Sequence, residues 1–137
     1  MRRKLIEQVI EKACLCQKFS AGNTATATSD SVDREGYLSA RIIGQTKSLT
    51  IGDTQAFTFY VYDSSDNSTF AIYDSANATF TMTPASSASV SASGTDVDLA
   101  GANRYIKVYC SVTGATTVTA IVTVACILGD GIEEPAT

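Results

Sequence analysis

Apolar and polar residues alternate with a period of two along the last third of the chain. Two such runs lie between residues 104 and 130, and Gly114 separates them. Their apolar positions are Ile106, Val108, Cys110 and Val112 in the first run and Val118, Ala120, Val122, Val124, Cys126 and Leu128 in the second. This period is typical of β-strands that bury one face. Because a short connection that contains glycine favours a tight turn, the pattern predicts that the two strands pair as a hairpin.

Shorter segments of the same kind fill the chain from residue 36 onward. The clearest covers residues 56–62, where Phe57, Phe59 and Val61 share one face. The other predicted strands cover residues 37–43, which Gly44 closes, 47–51, 69–74, 78–83, 88–92 and 97–99. The residues of the middle strands that we expect to face the core are Phe70, Ile72, Phe80 and Met82. About eight short strands with polar turns and no crossover helix predict an all-β fold, an antiparallel jelly-roll-like β-sandwich.

The N-terminal residues follow a different pattern. Their apolar positions recur at helical spacing and predict a short amphipathic helix over residues 2–16. These positions are Leu5, Ile6, Val9, Ile10 and Ala13. Residues 20–31 are small and polar and predict an extended arm or a first edge strand. The 137 residues therefore divide into a helix and arm over 1–30 and one sandwich domain over 31–137. The helix and arm either reach a neighbouring subunit or fold back over one end of their own sheet.

Charge and hydropathy argue against two classes of partner. The chain carries a formal net charge of −4, but its first 18 residues are net basic and the remainder is strongly acidic. Affinity for nucleic acid comes mostly from Lys and Arg that neutralise phosphates, so the acidic body does not suit a nucleic-acid partner. The basic residues Arg2, Arg3 and Lys4 either meet an acidic surface or lie solvated at the start of the helix. No segment reaches the ~20 apolar residues of a membrane span, and acidic residues interrupt what would be a signal peptide.

The chain offers little reactive chemistry. It has no His, the commonest general base and a common metal ligand. Its four cysteines match neither a zinc motif nor a disulfide framework, which predicts reduced, structural thiols. Cys110 and Cys126 would pair only if the hairpin register placed them opposite each other. The carboxylates near predicted turns are Asp63, Asp66, Asp74, Asp96 and Asp98, and they match no calcium loop. We therefore predict no catalytic residue, no metal site and no cofactor.

Tyrosines lie on the outward faces of two predicted strands. Tyr60 and Tyr62 alternate with the core-facing residues of one strand, and Tyr105 and Tyr109 alternate with those of another. Tyr is enriched at protein interfaces because it combines a large apolar area with a polar tip. These faces are therefore either a contact surface or the ordinary solvated face of a sandwich.

The order of several segments is similar to that in a known class of virion proteins. A strand, Phe57-Thr-Phe-Tyr-Val61, precedes the turn Asp63-Ser-Ser-Asp-Asn-Ser-Thr-Phe70. Later come Ala102-Asn-Arg-Tyr-Ile-Lys-Val108, a Thr-Gly turn and a Val/Ala/Ile strand that ends at Leu128-Gly-Asp130. Over residues 30–135 this order resembles the head decoration, or cement, proteins of tailed bacteriophages, which are built as β-sandwiches.

The resemblance implies a structural virion protein without enzymatic activity. Such a protein is made in the cytoplasm of the bacterial host and binds the outer surface of the capsid between major capsid proteins, which it holds against the pressure of packaged DNA. We also expect self-association there, as a dimer or trimer. The residues expected at contacts are Arg2, Arg3, Lys4, Leu5, Ile6, Val9, Ile10, Tyr60, Tyr62, Tyr105 and Tyr109. The Ser- and Ala-rich residues 85–93 are expected to pair edge to edge with another strand.

Other functions stay open on the sequence alone. A head–tail connector or tail structural protein would assemble into rings. A receptor- or carbohydrate-binding module would present exposed aromatic residues at the loop ends. A hydrolase would need a pocket that holds a carboxylate of perturbed pKa.

Overall fold

The computed structural model describes the backbone of residues 10–21, 24–50, 56–83, 90–113 and 118–131, and the side chains of 26–47, 56–83, 90–112 and 120–129 within them. These residues contain ten β-strands. They are β1 (Ile10–Ala21), β2 (Thr24–Thr28), β3 (Val32–Asp33), β4 (Tyr37–Thr50), β5 (Ala56–Ser64), β6 (Ala71–Ile72), β7 (Thr79–Met82), β8 (Val90–Asp98), β9 (Tyr105–Thr113) and β10 (Val118–Gly131). The described part of the chain has no helix with the length and apolar content that a membrane span requires.

The strands form two antiparallel sheets. The first has the order β1-β10-β4-β8, and the second has the order β2-β9-β5-β6, with β3 also paired to β9 and β7 also paired to β5. The pairs β1–β10, β2–β9, β4–β8 and β5–β6 nest inside one another along the chain. The chain therefore folds back on itself after β5 and rolls up into two stacked sheets, which is the jelly-roll arrangement. The predicted all-β, antiparallel sandwich is confirmed.

The core lies between the two sheets and contains the residues expected from the alternation. Phe57, Phe59 and Val61 of β5 are buried. So are the apolar positions of the last two strands that the structure describes with side chains: Ile106, Val108, Cys110, Val112, Ala120, Val122, Val124, Cys126 and Leu128. Burying such residues is the main favourable contribution to folding, at about 25 cal/mol per Å² of apolar surface.

The predicted hairpin between the last two strands is wrong. β9 pairs with β2, β3 and β5 in the second sheet, whereas β10 pairs with β1 and β4 in the first. Each strand has one strongly apolar face, and placing the strands in opposite sheets lets the two faces meet across the core. Cys110 and Cys126 are consequently in different sheets, and Cys110 has a free thiol, so the two do not form a disulfide.

Gly44 does not end a strand, contrary to the prediction. β4 runs without a break from Tyr37 to Thr50. A Cβ atom at Gly44 would lie 2.9 Å from Cζ of Phe59, whose ring comes from the opposite sheet. That ring also stacks on Phe80, with centroids 4.7 Å apart. The glycine is needed for this close approach of a ring to the backbone, which is one of the established reasons for glycine inside a strand.

The predicted helix over residues 2–16 is wrong from residue 10 onward. Residues 10–21 form β1, which pairs with β10 from Ile10 opposite Leu128 to Ala21 opposite Val118. The register shifts between Ala13 and Leu15, as at a β-bulge. A bulge adds one residue and puts the alternation before and after it out of phase, so this strand does not show a simple period of two. Residues 1–9 lie outside the described residues.

The remaining expectations concern the edge strand within residues 20–31 and the core residues of the middle strands. Among the described strands, β2 pairs with β9 alone, so the alternative of an edge strand within residues 20–31 is confirmed. Residues 10–21 and 24–28 thus belong to strands of the sandwich, and the boundary predicted at residue 30 stays a prediction. Ile72 was expected in the core but is 49% exposed. Met82 is buried and Phe80 packs against the core, as predicted.

Candidate functional site

The four tyrosines singled out from the sequence lie together on the outer face of the second sheet. β5 and β9 are neighbours, with Tyr60 opposite Tyr109, Tyr62 opposite Lys107 and Ser64 opposite Tyr105. Because the core-facing residues of both strands point inward, the intervening tyrosines point outward. All four are half-buried. We call this surface the tyrosine face: Tyr60, Tyr62, Tyr105 and Tyr109.

Three of these rings form one cluster. The ring centroid of Tyr109 lies 5.4 Å from that of Tyr62 and 6.4 Å from that of Tyr60, and the rings are tilted by 46° and 50°. Aromatic pairs at such distances contribute about 0.5–1.5 kcal/mol beyond the area that they bury. Burial raises the pKa of Tyr62, and the neighbouring Tyr109 and Tyr60 raise it further. The Tyr62 phenol therefore stays protonated at neutral pH and is available as a hydrogen-bond donor.

The structure adds three side chains that sequence reasoning did not assign to this face. Ile72 of β6 is the cross-strand neighbour of Tyr62 and is largely exposed. Lys107 lies beside Tyr62 on the other side, and its Nζ is 4.0 Å from the centroid of the Phe70 ring. Phe70 and Ile72 were expected to face the core. β6 has only two residues, so no alternation could reveal its orientation.

Paired charges border the face next to Tyr105. Nη2 of Arg104 lies 2.7 Å from Oδ2 of Asp33 and 2.7 Å from Oε2 of Glu35. The guanidinium carbon is 5.3 Å from the centroid of the Tyr105 ring. The hydrogen bond from Arg104 lowers the pKa of Asp33, although partial burial opposes this effect. The Asp33 carboxylate therefore remains ionised at neutral pH, and its ion pair and that of Glu35 hold the Arg104 guanidinium at this border.

Hydroxyl groups occupy the opposite half of the same face. One row runs across four strands, with Thr26, Ser111, Thr58 and Thr81 in register. Oγ1 of Thr58 and Oγ1 of Thr81 are 3.1 Å apart and share a hydrogen bond. The outer face of the second sheet is thus divided into an aromatic half and a hydroxyl half.

Two of the carboxylates noted near turns, Asp63 and Asp66, accept backbone N–H groups. Oδ1 of Asp66 accepts the backbone N–H groups of Ser68 and Thr69, each at 2.9 Å, and the hydroxyl of Ser64 at 2.8 Å. Oδ2 of Asp63 accepts the backbone N–H of Asn103 at 2.7 Å. The turn-forming role expected for these carboxylates is observed at Asp66, whereas Asp63 bonds to a residue 40 positions away in the chain. Within the described ranges, no group of three or more Cys, Asp or Glu side chains is placed to hold a metal ion.

Within the described part of the chain, no predicted N-terminal contact residue lies on the tyrosine face. Arg2, Arg3, Lys4, Leu5, Ile6 and Val9 lie outside the described residues. Ile10 begins β1 and pairs with Leu128 in the first sheet, whereas the tyrosines belong to the second.

No known protein family model and no curated protein sequence matches this chain. Its fold is similar to that of several solved structures. The PBSX exported protein XepA matches with a TM-score of 0.54 and 12% identity, over 93% of this chain and 39% of that chain. A structure of infectious bursal disease virus, Gx strain, matches with a TM-score of 0.53 and 10% identity, over 90% of this chain and 32% of that chain.

The chain is also similar to a carbohydrate-binding module, and this match covers almost all of both proteins. The family 11 carbohydrate-binding module of a cellulosomal cellulase of Clostridium thermocellum matches with a TM-score of 0.50 and 9% identity, over 94% of this chain and 91% of that module. Identities this low show the fold alone. The chain is an antiparallel β-sandwich of a kind that occurs both in viral particles and in carbohydrate-binding modules.

Proposed function

We propose that this protein is a structural component of a tailed-bacteriophage particle that binds the outer surface of the capsid between major capsid proteins and stabilises the shell. The observation that carries the proposal is the cluster of Tyr60, Tyr62 and Tyr109 on the outer face of the second sheet. The fold shared with a virus structure is consistent with it.

The chemistry of the cluster suits a protein partner. Tyr and Phe are enriched at protein interfaces, where large apolar areas are removed from water. The cluster combines three tyrosine rings with Ile72, which is 49% exposed, and with a lysine held over Phe70. A tyrosine loses little conformational entropy on binding because it has only two rotatable side-chain bonds.

Stabilisation of the shell would follow from contact with more than one capsid subunit. A ligand that binds the assembled shell and not its separated subunits stabilises the assembly by mass action. When one copy holds two subunits, the second contact forms at a high effective concentration, so individually weak contacts act together.

The test is co-sedimentation of the purified chain with phage heads that lack it, followed by heating of the heads. Saturable binding that raises the temperature of DNA release is the expected result. Tyr62→Ala and Tyr109→Ala should each weaken binding by about 1–4 kcal/mol if these residues lie at the centre of the contact. Thr81→Ala, in the hydroxyl half of the same sheet face, is the matched control and should bind like the wild type. Ring formation in isolation without binding to heads would instead indicate a connector or tail protein.

A second candidate function, carbohydrate binding, is favoured by the position of the aromatic cluster beside the hydroxyl row. Sugar sites combine aromatic rings with a few well-placed polar groups. Affinity electrophoresis of the isolated chain in gels that contain neutral polysaccharides tests this alternative. Retardation that Tyr62→Ala abolishes, together with failure to bind heads, would replace the capsid proposal by this one.

A further inference from the structure

β8 forms the edge of the first sheet. It pairs with β4 from Asp98 opposite Ser39 to Val90 opposite Lys47, and the register does not shift along the way. On its other side, no strand among the described residues is hydrogen-bonded to β8. A strand in this position presents a row of backbone groups that can pair with another strand.

The contacts at the end of β8 show which backbone groups point away from β4. The N–H of Leu99 donates to the carbonyl of Leu38 at 2.8 Å, so the backbone of Leu99 points toward β4. The carbonyl of Asp98 accepts the hydroxyl of Tyr73 at 2.7 Å, on the opposite side. Because bonding direction alternates along a strand of an antiparallel pair, Ala92, Gly94 and Asp96 also direct their N–H and C=O groups away from β4.

The first half of β8 has neither of the two residue types, charged residues and proline, that usually protect an edge. Natural sheets blunt their edges with Lys, Pro, a bulge or a covering segment. Residues 90–94, Val-Ser-Ala-Ser-Gly, contain neither charge nor proline, and Val90 is 64% exposed. The two charged residues of the strand, Asp96 and Asp98, lie in its second half.

We infer that β8 pairs with β8 of a second copy of this chain, antiparallel and across a two-fold axis at Gly94. The two four-stranded sheets then become one continuous sheet. Ala92 of each copy lies opposite Asp96 of the other, and Val90 lies opposite Asp98. Ala92, Gly94 and Asp96 supply the backbone hydrogen bonds. The contact is isologous, as in most homodimers.

The extent of pairing favours this register, and charge disfavours the one centred on Asp96. Centring the axis on Asp96 would place that carboxylate directly opposite its own copy, and like charges in that position are destabilising. Centring it on Gly94 places no like charges directly opposite and pairs Ala92, Gly94 and Asp96 of both copies, which leaves the Asp98 carbonyl bonded to the Tyr73 hydroxyl. It also brings Asp98 of the second copy beside Val90, whose neighbour on β4 is Lys47. The acidic end of one strand therefore meets an uncharged strand end that is flanked by a cation.

Sedimentation equilibrium of the full chain measures the association directly. The wild type is expected to form a concentration-dependent dimer and no larger species. Ala92→Pro removes an outward N–H, and proline is tolerated at an edge where the N–H faces away from the sheet. This variant should remain monomeric at concentrations where the wild type is dimeric. Position 94 is unsuitable as a probe because a Cβ there would lie 2.5 Å from the carbonyl oxygen of Ile42.

A pair of charge variants tests the register and does not depend on how well Ala92→Pro folds. Ala92→Asp places a carboxylate opposite Asp96 of the second copy, whereas Ala92→Lys places an ammonium there. The first should raise the dimer dissociation constant and the second should lower it, each by roughly 2- to 30-fold for the two symmetric pairs. Equal effects of the two variants, or a wild type that stays monomeric up to millimolar concentration, would overturn the inference.

The inference does not depend on the proposed function. Dimerisation is measured without phage heads, and the Tyr62→Ala variant that tests capsid binding leaves β8 unchanged. A monomeric protein that binds heads would reject the dimer alone. A dimer that does not bind heads would reject the capsid role alone.

Discussion

At the scale of single residues, Ser29 illustrates how one side chain maintains a sheet. It lies between β2 and β3, both of which pair with β9. Its backbone N–H donates to the carbonyl of Val108 at 2.8 Å, and its hydroxyl oxygen accepts the N–H of Val108 at 2.9 Å. The hydroxyl thus takes the place of a backbone carbonyl where regular pairing is interrupted, and the Val108 N–H stays satisfied in the core.

Replacing Ser29 by Ala should therefore be destabilising. The variant leaves the buried N–H of Val108 without this acceptor, which costs about 1–3 kcal/mol in the free energy of unfolding. Urea unfolding at pH 7 measures the loss. Ser31→Ala, at an exposed position two residues away, is the control and should stay within about 0.5 kcal/mol of the wild type. A Ser29→Ala variant as stable as this control would contradict the role of the hydroxyl.

At the scale of secondary-structure elements, strands with unbroken alternation were predicted well and strands with local exceptions were not. β5, β9 and β10 bury the residues that their pattern indicates. β1 contains a register shift, and β4 contains Gly44 beneath the Phe59 ring. From the sequence alone, a glycine is interpreted as the end of a strand and an irregular apolar pattern as a helix. The sequence does not show which strand or aromatic ring packs against these residues.

The connection between β5 and β6 makes a prediction at this scale. Hydrogen bonds from the backbone N–H of Thr69, the hydroxyl of Ser64 and the backbone N–H of Ser68 lower the pKa of Asp66 from 3.8 to about 2. A carboxylate whose pKa is lower in the folded state stabilises the fold above its unfolded pKa. This contribution should be complete above about pH 4 and should disappear as the pH falls toward about 2.

The Asp66→Asn variant removes the titrating group and isolates this effect. At pH 7 the wild type should be more stable than the variant, and the difference should shrink between pH 4 and pH 2. Urea unfolding at several pH values measures it. Thr69→Ala keeps the carboxylate and the backbone N–H groups, so it should retain the pH dependence of the wild type. A difference that does not vary with pH would contradict the hydrogen-bonded turn.

At the scale of the whole molecule, the core sequesters a thiol that reports on global unfolding. Cys110 lies between the sheets, and burial raises its pKa to about 12. Since the thiolate is the reactive form, Cys110 should react with iodoacetamide at pH 8 only when the protein unfolds. Peptide-resolved mass spectrometry measures its alkylation separately from that of the other cysteines.

The Ser29→Ala variant provides the calibration for this experiment. A loss of about 1–3 kcal/mol should raise the alkylation rate of Cys110 by roughly 5- to 150-fold. Ser31→Ala should leave the rate unchanged. Alkylation of Cys110 in native buffer as fast as in concentrated urea would show that the core is accessible without unfolding.

The candidate site was partly predictable at this scale. The outward direction of Tyr60, Tyr62, Tyr105 and Tyr109 follows from the alternation in each strand, but their meeting on one face does not. That arrangement arises because β5 and β9 are neighbours, with Tyr60 opposite Tyr109. Lys107 joins the cluster through the same pairing, and Ile72 joins it through the pairing of β5 with β6.

The amino-acid sequence by itself determined that the chain forms strands, which face of the regular strands is buried, and that histidine chemistry is absent. These are local properties, because a period of two and a residue's chemistry do not depend on distant neighbours. The tertiary structure decided which strands pair, in which register, and which outward residues become a surface. Strands pair in the arrangement that buries all of their apolar faces together. For this reason β9 and β10 lie in different sheets, although only a short connection joins them.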